Sequence, residues 1–252
     1  MSSILITGAS KGVGRAAAAE LARRGHRVVA TARDPRSLDG LDVDRRLRLD
    51  VTDQASVDAA IEQAGEIDTL VSNAGTIFSA AVEASPTDEI ERLLVHNTVG
   101  AIRVAQAVLP QLRRRNKGRL LFVSSASGRV VQPGTAAYSA SKWALEALAE
   151  ALAIELAGFG IDVTLAQPGP VSSGALDDIT TYKLPDDPYA PFFAVGVTPP
   201  AKIMISPEQV AAALADLVEQ PTVPLRVPIG PVAEQVVAAR NSAPYDKPFI
   251  RG

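Results

Sequence analysis

Short apolar runs alternate along this chain with longer segments of helical periodicity, and this alternation most constrains the fold. The apolar runs have the length and the β-branched content of buried strands. Strands that alternate with helices run parallel in one sheet and are joined by right-handed crossovers. The predicted strands are Ile4–Thr7, Arg27–Ala32, Leu47–Val51, Asp68–Ser72, Arg119–Ser124, Ile161–Ala166 and Leu225–Pro228.

The segments between these strands carry apolar residues three and four positions apart, which is the spacing of an amphipathic helix. The predicted helices are Arg15–Arg24, Gln54–Ala64, Asp88–Arg115, Ala137–Gly158, Pro207–Glu219 and Val232–Arg240. The 252 residues contain no internal repeat and no low-complexity linker. We therefore predict an α/β fold in a single domain over residues 1–252, a doubly wound Rossmann-type parallel sheet of about seven strands with helices on both faces.

The segment Ser172–Ser206 breaks this rhythm, because it is rich in proline and has no clear period. A connection of this length inside a compact domain is more often a functional lid than a linker. Its aromatic residues favour an apolar or cyclic substrate, although packing of the lid explains the same rings equally well. They are Tyr182, Tyr189, Phe192 and Phe193.

The composition excludes several kinds of chemistry. The chain has no cysteine, which excludes disulfides, thiolate-bound zinc, iron–sulfur clusters and a cysteine nucleophile. Its two histidines, His26 and His96, stand apart and cannot build a three-histidine site, so we expect no metal. A net charge of −3 and a pI near 5.5 argue against nucleic acid as a partner. No stretch approaches ~20 consecutive apolar residues, and no export signal precedes the first strand, so we expect a cytoplasmic protein without a membrane partner.

A glycine-rich stretch, Thr7–Gly14, lies between the first predicted strand and the first helix. Glycines here let the backbone turn sharply and approach a pyrophosphate, and the helix that starts near Val13 offers free amides to that anion. No Gly-Lys-Ser/Thr closes the stretch, which excludes a P-loop. The alternative is an ordinary turn from strand to helix.

Two further patterns place polar side chains where chemistry is possible. Tyr138 and Lys142 are four residues apart in a predicted helix, so both project from one face. An ammonium beside a phenol lowers the tyrosine pKa, which would make Tyr138 a general acid or base; a half-buried helix face with a snorkelling lysine is the alternative. Ser124 and Ser125 stand at the carboxyl end of a strand, where open α/β sheets bind ligands, although a strand end or helix cap explains them too.

Together and in this order, the three patterns resemble those of the short-chain dehydrogenase/reductase family, in its single-domain branch. The resemblance covers roughly Ser3–Ser173 and is similar in detail to bacterial relatives of hydroxysteroid and retinol dehydrogenases. Ser125, thirteen residues before Tyr138, matches the serine of the family better than Ser124 does. Ser173 replaces a threonine of the family but keeps its hydroxyl, and we interpret His96, where the family often has asparagine, as structural. The resemblance also includes Asp50-Val51, Asn73-Ala74-Gly75, Asn97 and Pro168-Gly169-Pro170-Val171.

The resemblance implies a nicotinamide cofactor and a set of residue roles. The implied catalytic residues are Asn97, Ser125, Tyr138 and Lys142. Ser125 would hydrogen-bond the substrate oxygen and Tyr138 would pass its proton, so both donors would stabilise the alkoxide that hydride transfer creates. Lys142 would bind the nicotinamide ribose and tune Tyr138, and Asn97 would hold a relay water. The residues expected at the cofactor are Gly8, Ser10, Lys11, Gly12, Val13, Gly14, Arg33, Asp50, Val51, Asn73, Ala74, Gly75, Tyr138, Lys142, Pro168, Gly169, Val171 and Ser173.

The charge after the second strand bears on the choice of cofactor. A carboxylate there would bind the ribose 2′-hydroxyl and repel a 2′-phosphate. Arg33 follows this strand instead and can fork a phosphate, while Lys11 adds a second cation from the glycine loop. Asp34 leaves the alternative open, because it could pair with Arg33 or serve as the ribose carboxylate. We favour NADP(H) over NAD(H).

We therefore predict an NADP(H)-dependent oxidoreductase that reduces a small-molecule ketone or aldehyde to an alcohol, or catalyses the reverse. One alternative is a catalytically idle dinucleotide-binding redox sensor or interaction protein, which would normally lose Tyr138 or Lys142. A second is non-redox chemistry such as dehalogenation, which would be expected to replace Lys142 or fill the glycine loop. The helices Asp88–Arg115 and Ala137–Gly158 are the usual dimer surface of the family, so a homodimer or homotetramer is implied.

Overall fold

A computed structural model describes residues 1–173, 179–193 and 201–249 of the chain. Across these residues one parallel sheet carries the fold, and a small second sheet lies beside it. In chain order the strands are β1 (Ser3–Ile6), β2 (Arg27–Ala32), β3 (Arg45–Arg48), β4 (Thr69–Ser72), β5 (Phe78–Ser79), β6 (Gly118–Val123), β7 (Ile161–Pro168), β8 (Thr180–Thr181) and β9 (Arg226–Ile229). The main sheet has seven strands in the order β3-β2-β1-β4-β6-β7-β9, and β5 pairs with β8 in parallel.

Helices cover both faces of the main sheet. They are α1 (Gly12–Arg23), α2 (Gln54–Ala64), α3 (Thr87–Leu94), α4 (Gly100–Arg115), α5 (Ala136–Leu156), α6 (Ala190–Phe193), α7 (Pro207–Glu219) and α8 (Pro231–Ser242). Side chains of a strand alternate between faces, so Ile4 and Ile6 pack with α1 and α7 while Leu5 packs with α2, α4 and α5. The apolar runs of the sequence are therefore buried on both sides, as in other doubly wound sheets.

The sheet order reverses direction between β1 and β4. From β1 the chain first winds outward through β2 to β3, and it then returns to β4 and winds the other way. Loops that leave two neighbouring strands in opposite directions open a crevice at their carboxyl ends, which is where such sheets bind ligands. This topology confirms the predicted doubly wound fold and places the glycine loop at the crevice.

Two predicted elements differ most from the structure, while the bounds of the others agree to within three residues. The third strand, predicted over Leu47–Val51, covers Arg45–Arg48 instead. This strand is at the edge of the sheet and pairs only with β2, so arginines are tolerated there, while the apolar Leu49 and Val51 are buried in the turn that follows. The helix predicted over Asp88–Arg115 is interrupted by a π-helical turn over Val95–Val99.

The predicted lid, Ser172–Ser206, falls partly outside the described residues. Positions 174–178 and 194–200 lie outside them, as do the side chains of Phe192 and Phe193. The described part contains β8 and α6, which the sequence did not predict. Within the part of the chain that the structure describes, the helices are too short or too polar to cross a bilayer.

Candidate active site

The glycine loop between β1 and α1 leaves room for an anion. Gly8 and Gly12 have φ angles of +69° and +56°, a backbone conformation that glycine adopts without strain. A Cβ atom built on Gly14 would lie 2.3 Å from the Gly8 carbonyl oxygen, so only glycine fits where the helix meets the loop. Helix α1 begins at Gly12 without an acidic residue in its first turn or a side-chain cap from Lys11. Its amino-terminal amides therefore fit the phosphate groups of a dinucleotide.

Asn73 joins the loops that follow β1 and β4. Its Nδ2 atom donates to the carbonyl oxygens of Thr7 and Gly8 at 3.0 and 3.1 Å. The Thr7 hydroxyl in turn accepts from the amides of Asn73 and Ala74, both at 3.0 Å. These bonds hold the two sides of the crevice together. The predicted cofactor residues Asn73 and Ala74 thus form part of its wall, and Gly75 follows them with an exposed position.

Ser125, Tyr138 and Lys142 converge at the carboxyl end of β6. The Ser125 hydroxyl accepts from the Ser127 amide at 3.1 Å and lies near enough to the Tyr138 phenol to lower its pKa. One turn further along α5, the Lys142 Nζ atom lies 5.8 Å from the centre of the Tyr138 ring. Nζ donates to the carbonyl oxygen of Val123 at 2.8 Å. The three side chains that two separate sequence patterns singled out are therefore neighbours.

Burial controls the charge states of these groups. It raises the pKa of Tyr138, and the interaction with the Ser125 hydroxyl opposes this rise. Burial lowers the pKa of Lys142 to about 8, although the negative charge of Glu146 acts to raise it. The net shift of the Tyr138 pKa is therefore upward, not downward as the sequence predicts, because burial of the phenol has the largest effect. The Lys142 ammonium is directed at the Val123 carbonyl, and removing the phenol from water has the larger effect.

Asn97 lies in the π-helical turn and is fully buried. Its side chain accepts from the Thr76 amide and donates to the Thr76 carbonyl oxygen, both at 2.8 Å, and it donates to the Ser141 hydroxyl at 3.0 Å. A Cβ atom built on Gly75 would lie 3.6 Å from Asn97 Oδ1 and 3.8 Å from Lys142 Nζ. The two polar atoms therefore border the same small space beside Gly75.

A buried carboxylate behind this group was not singled out from the sequence. Glu146 is 3% exposed, and its two oxygens accept from Gln167 at 2.9 Å and from Arg226 at 2.7 Å. Arg226 also pairs with Glu150 at 2.6 Å. The four-residue spacing of Lys142 and Glu146 is the one signal that could have indicated it. Gln167 and Arg226 reach Glu146 through the pairing of β7 with β9, which the local pattern does not reveal.

The predicted nicotinamide segment follows β7. Pro168 ends this strand, and the Gly169 amide donates to the last residue of β9 at 3.1 Å. Val171 forms an isolated parallel bridge with the segment before α7. A Cβ atom built on Gly12 would lie 3.4 Å from the Ser173 Cβ atom. The predicted pyrophosphate and nicotinamide segments therefore adjoin each other.

The Asp34 carboxylate pairs with Arg36 rather than with Arg33. It pairs with Arg36 at 2.9 Å and accepts from the Arg36 amide at 3.1 Å, which caps the short 3₁₀ helix Pro35–Leu38. Arg33 is exposed and makes no ion pair within the described residues. The pairing of Asp34 with Arg33 that the sequence left open is therefore absent from this part of the chain.

The charge of Arg33 instead lowers the pKa values of two neighbouring residues, Asp50 and His96. Burial would raise the pKa of Asp50, but hydrogen bonds from Thr52 and the charges of Arg33 and His96 lower it. Burial and the charge of Arg33 lower the pKa of His96, whose Nδ1 atom is buried without a hydrogen-bond partner in the described residues. Arg33, Asp50 and His96 thus share one end of the crevice.

The other predicted cofactor residues lie in the same loops. Ser10 and Val13 are half-buried in the glycine loop, and Lys11 is exposed with an extended backbone at the N-cap of α1. Val51 is buried, and a Cβ atom built on Gly100 would lie 2.8 Å from its Cγ2 atom. The start of α4 therefore packs closely on the turn that carries Asp50.

The described part of the predicted lid docks beside α5. Strand β8 pairs with β5, and the rings of Tyr182 and Phe78 meet edge to face with their centres 5.4 Å apart. The Tyr189 hydroxyl hydrogen-bonds the Glu83 carboxylate. Phe78 packs in a cluster with Ala137, the residue before Tyr138. This aromatic pair is therefore close to the tyrosine of the candidate site.

Comparison with known proteins agrees with this geometry. The family model for short chain dehydrogenases matches residues 2–183. The 3-ketodihydrosphingosine reductase of Bacteroides thetaiotaomicron is 34% identical over 248 residues, which are 95% of this chain and 91% of that protein. A short-chain dehydrogenase from Streptomyces avermitilis superposes with a TM-score of 0.84 at 32% identity, over 96% of this chain and 93% of that chain. One from Burkholderia cenocepacia, in complex with NADP, gives 0.80 at 26% identity over 96% and 93%.

These matches extend over most of the chain, and they share its seven-stranded parallel sheet and its helical layers. The near-complete coverage of both chains shows that the relationship is not confined to the nucleotide-binding half. The chain therefore belongs to the short-chain dehydrogenase/reductase family and is an NAD(P)-dependent oxidoreductase that acts on CH–OH or C=O groups.

Proposed function

We propose that the chain reduces a ketone or an aldehyde with NADP(H), with Tyr138 as the proton donor. One observation carries this proposal: the Ser125 hydroxyl, the protonated Tyr138 phenol and the Lys142 ammonium meet at the carboxyl end of β6. A carbonyl oxygen that gains negative charge is stabilised by two such donors. The buried phenol keeps its proton at neutral pH, which suits a group that must deliver a proton to that oxygen.

The residues of the crevice fit a dinucleotide. The glycine loop and the uncapped start of α1 would hold its pyrophosphate, and Asp50 and Val51 would border its adenine. Val171 and Ser173 would hold the nicotinamide carboxamide. When bound, the cofactor supplies the hydride. The full proposed set is Gly8, Ser10, Lys11, Gly12, Val13, Gly14, Arg33, Asp50, Val51, Asn73, Ala74, Gly75, Tyr138, Lys142, Pro168, Gly169, Val171 and Ser173.

Side chains of the protein then transfer the proton to the substrate. Ser125 orients the substrate oxygen, and Tyr138 passes its proton to that oxygen. Lys142 stabilises the phenolate left behind, because an ammonium close to the ring favours negative charge on it. Asn97 Oδ1 and Lys142 Nζ border the space beside Gly75, where we place the water that returns a proton.

Arg33 supports the preference for NADP(H) over NAD(H). Asp34, the carboxylate that could compete for it, pairs with Arg36. The Arg33 guanidinium is exposed beside Asp50 at the adenosine end of the crevice, where a ribose 2′-phosphate would extend. The solved relative in complex with NADP shows that this fold accepts the phosphorylated cofactor.

The substrate that we propose is apolar or cyclic. The half-buried Tyr182 ring packs on the buried Phe78 in the cluster that contains Ala137, and an aromatic side chain at this point would favour an apolar ligand. We propose that a lid covers Ser172–Ser206. Within it, Thr180–Thr181 pairs with β5 and Tyr189 hydrogen-bonds Glu83, so both contact the segment that follows β4. The Bacteroides relative is named for reduction of a 3-keto compound, which agrees with a ketone substrate.

We also propose a homodimer or a homotetramer. Apolar side chains stand exposed along α5 and on the π-helical turn before α4, with Trp143 40%, Leu148 44% and Val99 47% exposed. Such side chains on two neighbouring helices form a surface that a second copy can cover.

The absorbance of NADPH in the presence of cyclic, aromatic and aliphatic ketones tests the proposed function. We expect turnover with at least one apolar ketone and little turnover with NADH. Tight NADPH binding without turnover across the whole panel would contradict the proposal and favour a dinucleotide-binding sensor.

A further inference from the structure

Glu146 lies one helical turn beyond Lys142, on the face of α5 that also carries Tyr138. Lys142 is 4% exposed and Glu146 is 3% exposed, so an ammonium and a carboxylate are both enclosed by the protein. A buried carboxylate destabilises a protein unless it is paired and hydrogen-bonded. Glu146 meets this condition through a hydrogen bond from Gln167 and an ion pair with Arg226.

Both oxygens of the Glu146 carboxylate are held. Oε1 accepts from the Gln167 amide nitrogen at 2.9 Å, and Oε2 accepts from Arg226 Nε at 2.7 Å. The other side of the Arg226 guanidinium pairs with the exposed Glu150, whose pKa is lowered by Arg226 and, more weakly, by Arg129. The carboxylate is therefore fixed in direction, and its counter-ion is anchored at the surface.

The charged groups around Lys142 come from few elements. On its own helix are Tyr138 and Glu146, and Arg226 reaches the cluster from β9. Asn97, from the π-helical turn, is polar but uncharged. Burial alone would favour a neutral lysine, and the Glu146 charge opposes this effect, so that the Lys142 pKa remains at about 8. Among these groups Glu146 carries the negative charge nearest to Lys142 along α5, while the Val123 carbonyl oxygen accepts the hydrogen bond from Nζ.

The Glu146 cluster also reaches the nicotinamide segment. Gln167 is the residue before Pro168 and Gly169, and its amide spans from Glu146 to this point of β7. A single buried carboxylate thus contacts both the strand that leads into the cofactor loop and the counter-ion from β9.

We propose that Glu146, held by Gln167 and Arg226 one helical turn beyond Lys142, is a positioning residue whose buried charge favours the ammonium form of Lys142 beside Tyr138. This inference rests on the proposed function, because it assigns Glu146 a role through Lys142. It gives the chain a further determinant of the pH range in which reduction proceeds.

The Glu146→Gln variant removes the charge and keeps the size and the hydrogen-bonding capacity of the side chain. We expect the alkaline limb of the pH profile of kcat for ketone reduction to move down by about one pH unit, because Lys142 loses its proton more easily. Glu150→Gln is the matched control, since it loses a carboxylate that also pairs with Arg226 but is exposed. We expect its profile to match that of the unmodified protein.

A titration of the Lys142 ammonium signal by nitrogen NMR, on protein without cofactor, separates this inference from the proposed function. We expect the Lys142 titration to move to lower pH in Glu146→Gln, whether or not any ketone is turned over. An unchanged titration in a folded Glu146→Gln protein would overturn the inference. If this variant does not fold, Arg226→Gln replaces it; we then expect the titration to move to higher pH, and no movement would overturn the inference.

Discussion

The Tyr138 phenol carries the proposed chemistry, and its surroundings favour the protonated form. Burial raises its pKa, and the interaction with the Ser125 hydroxyl opposes this rise without cancelling it. A phenol that holds its proton is prepared for reduction of a carbonyl, in which the proton must arrive as negative charge develops on oxygen.

Ser125→Ala tests the role of the serine beside this phenol. We expect kcat to fall about 10²- to 10³-fold, which is typical for the loss of one donor to a developing oxyanion. The NADPH Kd, measured by fluorescence, should hardly change. Ser124→Ala is the matched control, because Ser124 is the adjacent serine, is buried and has a hydroxyl that makes no hydrogen bond within the described residues. Equal losses of kcat in both variants would contradict the assignment of Ser125.

Arg33→Gln tests the proposed preference for NADP(H). We expect the KM for NADPH to rise at least about tenfold, since a hydrogen bond to a charged group contributes about 1.5–3 kcal/mol, while the KM for NADH stays nearly constant. Arg23→Gln, at an exposed arginine paired with Glu20 on α1, should change neither constant. A parallel rise of both KM values in Arg33→Gln would show that Arg33 does not read the 2′-phosphate.

The candidate site residues could be proposed from sequence patterns, but the contacts between side chains could not. Tyr138 and Lys142 could be placed on one face because a helix has a fixed period. The pairing of Asp34 with Arg36 depends on a 3₁₀ turn, and the direction of the Tyr138 pKa shift depends on burial. Neither quantity can be read from the spacing of residues along the chain.

The glycine loop and the π-helical turn are the elements that shape the crevice. The loop brings the start of α1 against β1, and the turn brings Asn97 to Thr76 behind Gly75. π-helical turns are uncommon and occur frequently at functional sites, because the extra residue redirects a side chain. Here the redirected side chain fixes the loop that follows Asn73.

Gly14→Ala tests how closely α1 packs on this loop. The new Cβ atom would lie 2.3 Å from the Gly8 carbonyl oxygen and 2.4 Å from Asn73 Nδ2. We expect a loss of about 1–3 kcal/mol in the free energy of unfolding and weaker NADPH binding. Gly158→Ala is the control, because a Cβ atom there meets nothing within 4 Å. A Tm of Gly14→Ala equal to that of the control would contradict the close packing.

Elements of regular period could be predicted, and irregular ones could not. The bounds of β2, α2 and α7 agree with the prediction because their apolar spacing is regular, and in the structure Asp53 caps α2 and Ser206 caps α7. The π-helical turn lies within a continuous helical pattern that does not reveal it. Strands β5 and β8 have two residues each, which is too short for a periodic pattern, and they pair although they lie far apart in the sequence.

At the scale of the whole molecule, one sheet brings distant segments to one crevice. Parallel strands end at the same edge, so the loops after β1, β4, β6 and β7 meet although they are far apart in the chain. The alternation of strands and helices was sufficient to predict this arrangement. The predicted lid beyond Ser173 has no such pattern, and the substrate is the property that the sequence determines least.

Trp143→Glu tests the proposed assembly. Light scattering after size exclusion should give a dimer or a tetramer for the unmodified protein. We expect a smaller species for the variant, because a charge would be buried in the α5 surface. Lys183→Glu, at an exposed lysine of the lid segment, is the control and should keep the original mass. A monomeric unmodified protein would contradict the proposed assembly.

The central claim is that Tyr138 delivers the proton during hydride transfer, and Tyr138→Phe tests it most directly. Single-turnover reduction of a ketone substrate, followed by NADPH absorbance, would be compared between this variant and the unmodified protein. The account predicts that the variant binds NADPH with nearly unchanged Kd and shows no measurable turnover, since the ring remains and the proton donor is lost. Near-native turnover in Tyr138→Phe would contradict the account.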